Sequence, residues 1–156
     1  MVNRIPRRER RAVTLLELIA VVALLGIIAA VSIASYKPGT MGNLGAKVDA
    51  RHLALDLMQA RRRAISTGDN HFISFATTGS VTKYAVYRRP SSGSPVLVGD
   101  WYTFQKDVTV TSNPVSPEFT FEGLALANYT VDVRGPTNRF SVTINQVSGS
   151  VRVTAL

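Results

Sequence analysis

Residues 10–31 read RRAVTLLELIAVVALLGIIAAV, an apolar run that directly follows a cluster of arginines. The apolar segment that begins there, from Val13 to Tyr36, contains 24 residues. As an α-helix it would be about 36 Å long, which exceeds the roughly 30 Å hydrocarbon core of a bilayer. The sequence therefore predicts a transmembrane helix over residues 13–36.

Glu17 is the one charged residue inside this apolar run. A carboxylate at the centre of a spanning helix costs up to about 3 kcal/mol, and such acids usually have a partner or a function. We therefore expect Glu17 to be paired with a positive charge.

The basic residues before the run form a leader, residues 1–12. This leader carries five arginines and one glutamate, a net charge of +4, which is half of the +8 of the whole chain. A basic segment before an apolar one holds the N-terminus in the cytoplasm while the rest crosses the membrane. We therefore interpret the charge of the leader as a signal for membrane orientation rather than for nucleic-acid binding. The chain has no cysteine, which excludes disulfides and thiolate metal sites.

Two interpretations of the anchor differ in where it is cut. As a secretory signal peptide it would be removed after the A-x-A-like triplet 32–34, before Ser35. Alternatively, the cut falls between Ala12 and Val13 and the apolar helix is retained. Cleavage there makes Val13 an ammonium group four residues from Glu17, about one helical turn away. Only the second interpretation gives Glu17 a partner.

The chain after the anchor changes character twice. The glycine-rich residues 37–45 predict a hinge, because glycine favours backbone freedom over a rigid helix. Residues 46–67 predict an amphipathic helix that ends near Thr67 and Gly68. Its apolar face is made of Ala46, Ala50, Leu53, Leu57, Ala60 and Ala64.

From residue 68 to residue 156 the apolar pattern has a period of two, which is typical of β-strands. The predicted strands are His71–Thr77, Thr82–Arg88, Val96–Phe104, Val108–Thr111, Glu118–Phe121, Tyr129–Val133, Phe140–Asn145 and Ser150–Thr154. The prediction is an α+β fold, in which a long N-terminal transmembrane and amphipathic helix packs on a small antiparallel sheet head.

The sequence shows no catalytic motif. His52 and His71 are the only histidines, and we interpret both as packed or solvated side chains. Phosphate-binding loops, zinc-ligand spacings and nucleophile elbows are missing. We therefore expect a non-enzymatic protein without a cofactor or metal; an anchored periplasmic enzyme is the hypothesis with the least support.

Residues 11–18, RAVTLLEL, resemble the leader junction of type IV pilins and type II secretion pseudopilins. The family pattern is glycine, then Phe-Thr-Leu-x-Glu-Leu and about twenty apolar residues. Thr14, Leu15, Glu17 and Leu18 match it, whereas Ala12 and Val13 replace the glycine and the phenylalanine. Three further segments are similar to GspH/FimT-type minor pseudopilins: residues 60–65, 119–123 and 149–153.

The resemblance implies a minor pseudopilin or pilin-like structural subunit. A prepilin peptidase would cut between Ala12 and Val13 and methylate Val13, and Glu17 would provide the charge pair for assembly. The implied partners are this peptidase, other pilins or pseudopilins and an inner-membrane assembly platform. The mature chain would be a single-pass inner-membrane protein, with a cytoplasmic N-terminus and a periplasmic head. It would join or prime a pseudopilus for type II protein secretion or type IV pilus biogenesis.

The alternative function is a DNA-binding minor pilin in DNA uptake. Clustered arginines can follow a phosphate backbone. The candidate contacts are Arg61, Arg62, Arg63, Arg134, Arg139 and Arg152. A solvated helix face with scattered surface arginines explains the same residues without nucleic acid.

Overall fold

The computed structural model describes residues 14–34, 40–79 and 81–156. The chain divides into two compact units, residues 1–37 and residues 38–156. The first contains helix α1 (Leu15–Ala34). The second, which we call the head, contains helix α2 (Thr40–Thr67) and nine strands. The strands are β1 (Asn70–Thr78), β2 (Val81–Arg89), β3 (Val96–Leu97), β4 (Tyr102–Thr103), β5 (Thr109–Asn113), β6 (Glu118–Phe119), β7 (Tyr129–Arg134), β8 (Arg139–Ile144) and β9 (Val151–Ala155).

Helix α2 begins earlier than the sequence predicts. Residues 40–45 are helical, so the predicted hinge is wrong for this part, while residues 37–39 lie outside the described residues. Tertiary packing outweighs the low helix propensity of these glycines. A Cβ on Gly42 would lie 2.8 Å from the Pro136 ring, and one on Gly45 would lie 2.5 Å from Gln105 Oε1, so a side chain at either position would force its neighbour to shift. These glycines allow the helix to approach its neighbours.

The end of α2 agrees with the prediction. The helix ends at Thr67, and Gly68 follows with a φ of 73° and donates its N–H to Ala64 O at 3.0 Å. A glycine in the left-handed region just after the last helical residue is a common helix stop.

The strands form two antiparallel sheets. The first sheet has the order β3-β2-β1-β6, with β4 also paired to β2; the second has the order β5-β7-β8-β9. The predicted strand Val96–Phe104 is divided into β3 and β4, because Gly99, with a φ of 96°, turns the chain between them. The two short strands pair with different ends of β2.

The core lies between α2 and the two sheets. The predicted apolar face of α2 is confirmed, since all six of its residues, Ala46, Ala50, Leu53, Leu57, Ala60 and Ala64, are at most 1% exposed. The sheets contribute large side chains that include Ile73, Phe119 and Val142. Small residues on the helix and larger ones on the sheets let the two layers approach closely.

Candidate functional site: the exposed helix and the head

Helix α1 exposes its apolar side chains on every face. Leu15 and Leu16 are 77% and 78% exposed, and no large apolar residue of α1 is less than half exposed. The segment Leu15–Ile33 is long and apolar enough to cross a membrane. Such a surface needs to be covered by lipid or by other helices, because it has too much apolar area for water.

The first turn of α1 holds Glu17 in a defined position. Thr14 caps the helix: its Oγ1 accepts the N–H of Glu17 at 3.2 Å, and its carbonyl oxygen accepts the N–H of Leu18 at 3.1 Å. Glu17 is therefore the third residue of the helix, near the positive end of the helix dipole. Ala12 and Val13, the residues of the predicted cleavage site, lie outside the described residues.

The arginines considered for nucleic-acid contact do not form one surface. Arg61, Arg62 and Arg63 belong to α2, which packs on the inner face of the second sheet. Arg134, Arg139 and Arg152 lie on its outer face, because their neighbours in each strand point into the core. The sheet thus separates two groups of three.

Several of these arginines already have partners within the head. Arg61 donates its Nε–H to Gly123 O at 2.8 Å. Arg134 and Arg139 face each other across β7 and β8, and both contact Asp132. Asp132 thus partly offsets the positive charge of the outer face.

A polar network that the sequence analysis missed fixes α2 to the first sheet. Asp49, 0% exposed, accepts the hydroxyl of Tyr102 at 2.7 Å and the N–H of Gln105 at 2.9 Å. One turn further along the helix, the ring of His52 stacks on Tyr102 with 4.1 Å between centroids. The Asp-x-x-His spacing placed both residues on one side of the helix, but their tyrosine partners are more than thirty residues away.

The second half of the network centres on Tyr84. Its hydroxyl donates to Asp56 Oδ2 at 2.7 Å and lies 2.9 Å from Nδ1 of His52. Burial, followed by the hydrogen bond to Asp56, raises the pKa of Tyr84 far above its usual range. Burial and the bond to Asp49 raise the pKa of Tyr102 in the same direction. These tyrosines therefore act as neutral hydrogen-bond donors that tie the helix to the sheet.

The network has a structural role, because its hydrogen bonds join α2 to the first sheet. The second histidine, His71, lies in β1, whereas His52 lies in α2; His71 is 1% exposed, with its Nδ1 3.0 Å from Asp69 O. Within residues 14–34, 40–79 and 81–156 there is no group of three or more histidines and acids placed to hold a metal ion.

The architecture is pilin-like: an apolar N-terminal helix, and a second helix that packs on antiparallel sheets. The predicted α+β fold is thereby confirmed. No family model and no curated protein sequence matches the chain.

Solved structures with the same fold include a minor pseudopilin and a type IV minor pilin. The minor pseudopilin EpsH of the type 2 secretion system of Vibrio cholerae is 13% identical, with a TM-score of 0.58 over 70% of this chain and 96% of that chain. The type IV minor pilin FimU of Pseudomonas aeruginosa is 18% identical, with a TM-score of 0.57 over 70% of this chain and 91% of that chain. A second crystal form of FimU gives 17% identity and a TM-score of 0.55. At these identities the similarity establishes the fold.

Proposed function

We propose that the chain is a minor pilin-like structural subunit that joins or primes a pseudopilus for type II protein secretion or type IV pilus biogenesis. The observation that carries this proposal is the combination of a pilin-like head with an apolar helix, α1, whose first turn holds a single acid. A helix exposed on all sides is suited first to a bilayer and then to packing against other helices.

The proposed maturation begins in the inner membrane. The arginines of the leader hold the N-terminus in the cytoplasm. A prepilin peptidase then removes residues 1–12 by cutting between Ala12 and Val13, and methylates the new amine of Val13. The head faces the periplasm, and the mature chain enters the filament through an inner-membrane assembly platform and other pilin-like subunits.

Glu17 then gains the partner that its location requires. The methylated ammonium of Val13 would lie about one turn before Glu17 in the same chain. The terminus of a neighbouring subunit offers the same charge, so Glu17 can set the axial register of one helix against the next. Apolar surroundings strengthen this attraction, because little water screens it.

The DNA-uptake alternative gains no support from the geometry. The six candidate arginines lie in two groups on opposite sides of the second sheet, and Asp132 contacts two of them. A contact on one face of the sheet therefore involves only one group of three.

The first experiment determines the mature N-terminus. The full chain is expressed with and without a prepilin peptidase, purified from membranes and measured by intact mass spectrometry. We expect loss of residues 1–12 and gain of one methyl group only when the peptidase is present. A mature chain beginning at Ser35, or a chain left whole by an active peptidase, would contradict the proposal.

The second experiment tests Glu17. We expect Glu17→Ala to insert into the membrane normally but to fall at least tenfold in sheared filament fractions and in cross-links to other pilin-like subunits. Glu9→Ala is the matched control, because it removes the same charge from the leader, which the mature chain lacks. Equal assembly of the two variants would refute the role of Glu17.

A further inference from the structure

The strand β9 is an open edge of the second sheet. Among the described residues, 14–34, 40–79 and 81–156, it pairs with β8 alone, in a register that matches Val142 with Val153. Asn145 N–H donates to Ser150 O, and Leu156 N–H donates to Arg139 O. Because hydrogen-bonded residues alternate along an antiparallel strand, the backbone groups of residues 150, 152, 154 and 156 face β8. Those of Val151, Val153 and Ala155 therefore point away from the sheet.

Residues 151–155 contain no proline, and their register with β8 has no bulge. Proteins usually blunt an exposed edge with proline, a bulge or a charge that points inward. Residues 151–155 read VRVTA, and their one charge, Arg152, lies on the outer face. Within the part of the chain that the structure describes, Val151, Val153 and Ala155 thus present unpaired N–H and C=O groups in the spacing that an added strand needs.

Two hollows lie between this edge and the flank of α2, and together they define a groove. One end is a hollow of about 430 Å³, lined by Met58, Arg61, Arg62, Ile65 and residues 149–151. The other is a hollow of about 240 Å³, lined by Lys47, Arg51, Phe140, Val153 and Ala155. The helix therefore runs antiparallel to β9, and its side chains form the wall beside the free edge.

The wall of this groove is positively charged. Lys47, Arg51 and Arg62 are exposed, and Arg61 adds a fourth charge that is partly buried against Gly123 O. None of the residues that line the two hollows is an acid. The two acids in the middle of α2, Asp49 and Asp56, are bound to tyrosines of the first sheet.

We propose that this groove, bounded by β9 and the basic flank of α2, binds an extended acidic segment of another protein as an additional β-strand. Main-chain hydrogen bonds to Val151, Val153 and Ala155 supply the pairing, as in other cases of strand addition. Every second side chain of the added strand faces α2, about 6.7 Å from the next one on that face. Glutamates at those positions meet Lys47, Arg51 and Arg62.

The charge selects against a second copy of this chain. Residues 150–156 contain no acid, so pairing two β9 edges would bring the two basic α2 flanks together. Like charges at such distances repel. This proposal concerns the head alone and does not depend on the processing of the N-terminus.

The test uses the full chain in detergent micelles and a fluorescent eight-residue peptide of alternating Glu and Val, capped at both ends. We expect saturable binding by anisotropy, which weakens as salt is added, together with slower hydrogen exchange at the amides of Val153 and Ala155. A peptide of alternating Lys and Val should bind at least tenfold more weakly. Absence of binding by the Glu-Val peptide at low salt would refute the proposal.

Variants separate the edge from the charge. Val153→Pro removes an N–H that faces outward, which an edge strand tolerates, and it also replaces a side chain that packs against the core. Its fold is checked by circular dichroism, and the folded variant should not bind the peptide. Arg51→Glu with Arg62→Glu should weaken it at least tenfold, whereas the same charge change in Lys106→Glu with Arg134→Glu, which lie outside the groove, should not.

A second route tests the edge without changing the protein. A Glu-Val peptide methylated at alternate backbone nitrogens cannot donate along one edge and should not bind. Unchanged binding of this peptide would overturn the strand-addition model, even if Val153→Pro failed to fold. A chain that dimerises through β9 and excludes the peptide would show that a second copy is the occupant, and would equally overturn the proposal.

Discussion

At the scale of single residues, the stability of the head depends on polar side chains buried between α2 and the first sheet. Asp49 is 0% exposed and accepts two hydrogen bonds, from the Tyr102 hydroxyl and the Gln105 N–H. A buried carboxylate is tolerated when such donors replace water. Removing it would leave both donors without an acceptor in the same place.

We expect Asp49→Ala to lower the free energy of unfolding by about 2–3 kcal/mol, since each unpaired buried donor costs about 1–3 kcal/mol. Urea unfolding followed by circular dichroism measures this loss. Asp100→Ala removes an exposed acid and should change stability by less than about 0.5 kcal/mol. Similar stability of the two variants would show that the Asp49 contacts contribute little.

The same network predicts a loss of stability at alkaline pH. The pKa of Tyr84 is raised in the folded chain, chiefly by burial and then by Asp56, above its unfolded value of about 10. The neutral hydroxyl therefore stabilises the fold at pH values below about 10, and this contribution is lost as the pH rises further.

We expect Tyr84→Phe to be less stable than the wild type by about 1–2 kcal/mol at neutral pH, because it removes the hydrogen bond to Asp56. Above about pH 10 the difference in stability should narrow, since the Tyr84 hydroxyl of the wild type ionises on unfolding and the variant has no such group. Tm measured from pH 7 to 11 tests this, and Tyr84→Phe with Tyr102→Phe should flatten the curve further. Parallel curves would contradict the assignment.

At the scale of elements, two glycines with positive φ end a helix and form a turn for different reasons. Gly68 follows α2 with a φ of 73°, and a Cβ there would meet no atom within 4 Å. Gly149 lies in the turn between β8 and β9 with a φ of 60°, and a Cβ there would lie 2.1 Å from the backbone oxygen of Gly123. Gly68 is therefore required only for its backbone conformation. Gly149 is required for its conformation and also for the close contact between its turn and the loop at Gly123.

We expect Gly68→Ala to cost about 1–2 kcal/mol, the usual strain of a left-handed residue with a Cβ. Gly149→Ala carries that strain and also displaces the backbone at Gly123, where Arg61 donates a hydrogen bond. It should therefore be clearly the more destabilising of this matched pair in denaturant unfolding. Equal costs would mean that the loop at Gly123 moves freely.

At the scale of the whole molecule, the described hydrophobic core lies in the head, and α1 contributes no residue to it. Every residue of the hydrophobic cluster lies between Ala46 and Val153, whereas α1 exposes its apolar side chains. We therefore expect the head to fold without the anchor.

We expect a chain that starts at residue 38 to be soluble without detergent and to unfold at the same urea concentration as the full chain in micelles. A chain that starts at residue 46 is the control. It lacks Asn43, whose side chain accepts the N–H groups of Thr137 and Asn138 at 3.0 Å, so it should be less stable. Aggregation of the longer chain would contradict this division.

Local pattern predicted much of the molecule. The apolar run of residues 13–36 marked the anchor, and helical spacing marked the buried face of α2 at positions such as Leu53 and Leu57. All eight predicted strands overlap observed ones. These features depend on neighbours within a few residues, so the sequence alone determined them. Processing at Ala12 and Val13, and the role of Glu17, are still predictions.

Only the tertiary structure decided which distant residues meet. It divided the strands between two sheets, separated Arg61 from Arg134, and joined Asp49 to Tyr102 and Asp56 to Tyr84. It also made residues 40–45 helical and placed the glycines there against Pro136 and Gln105. Such contacts connect residues far apart in the chain, and no local period records them. The apolar helix with its single acid can therefore be predicted from the sequence. The polar network between α2 and the first sheet, and the free edge of β9, are visible only in the tertiary structure.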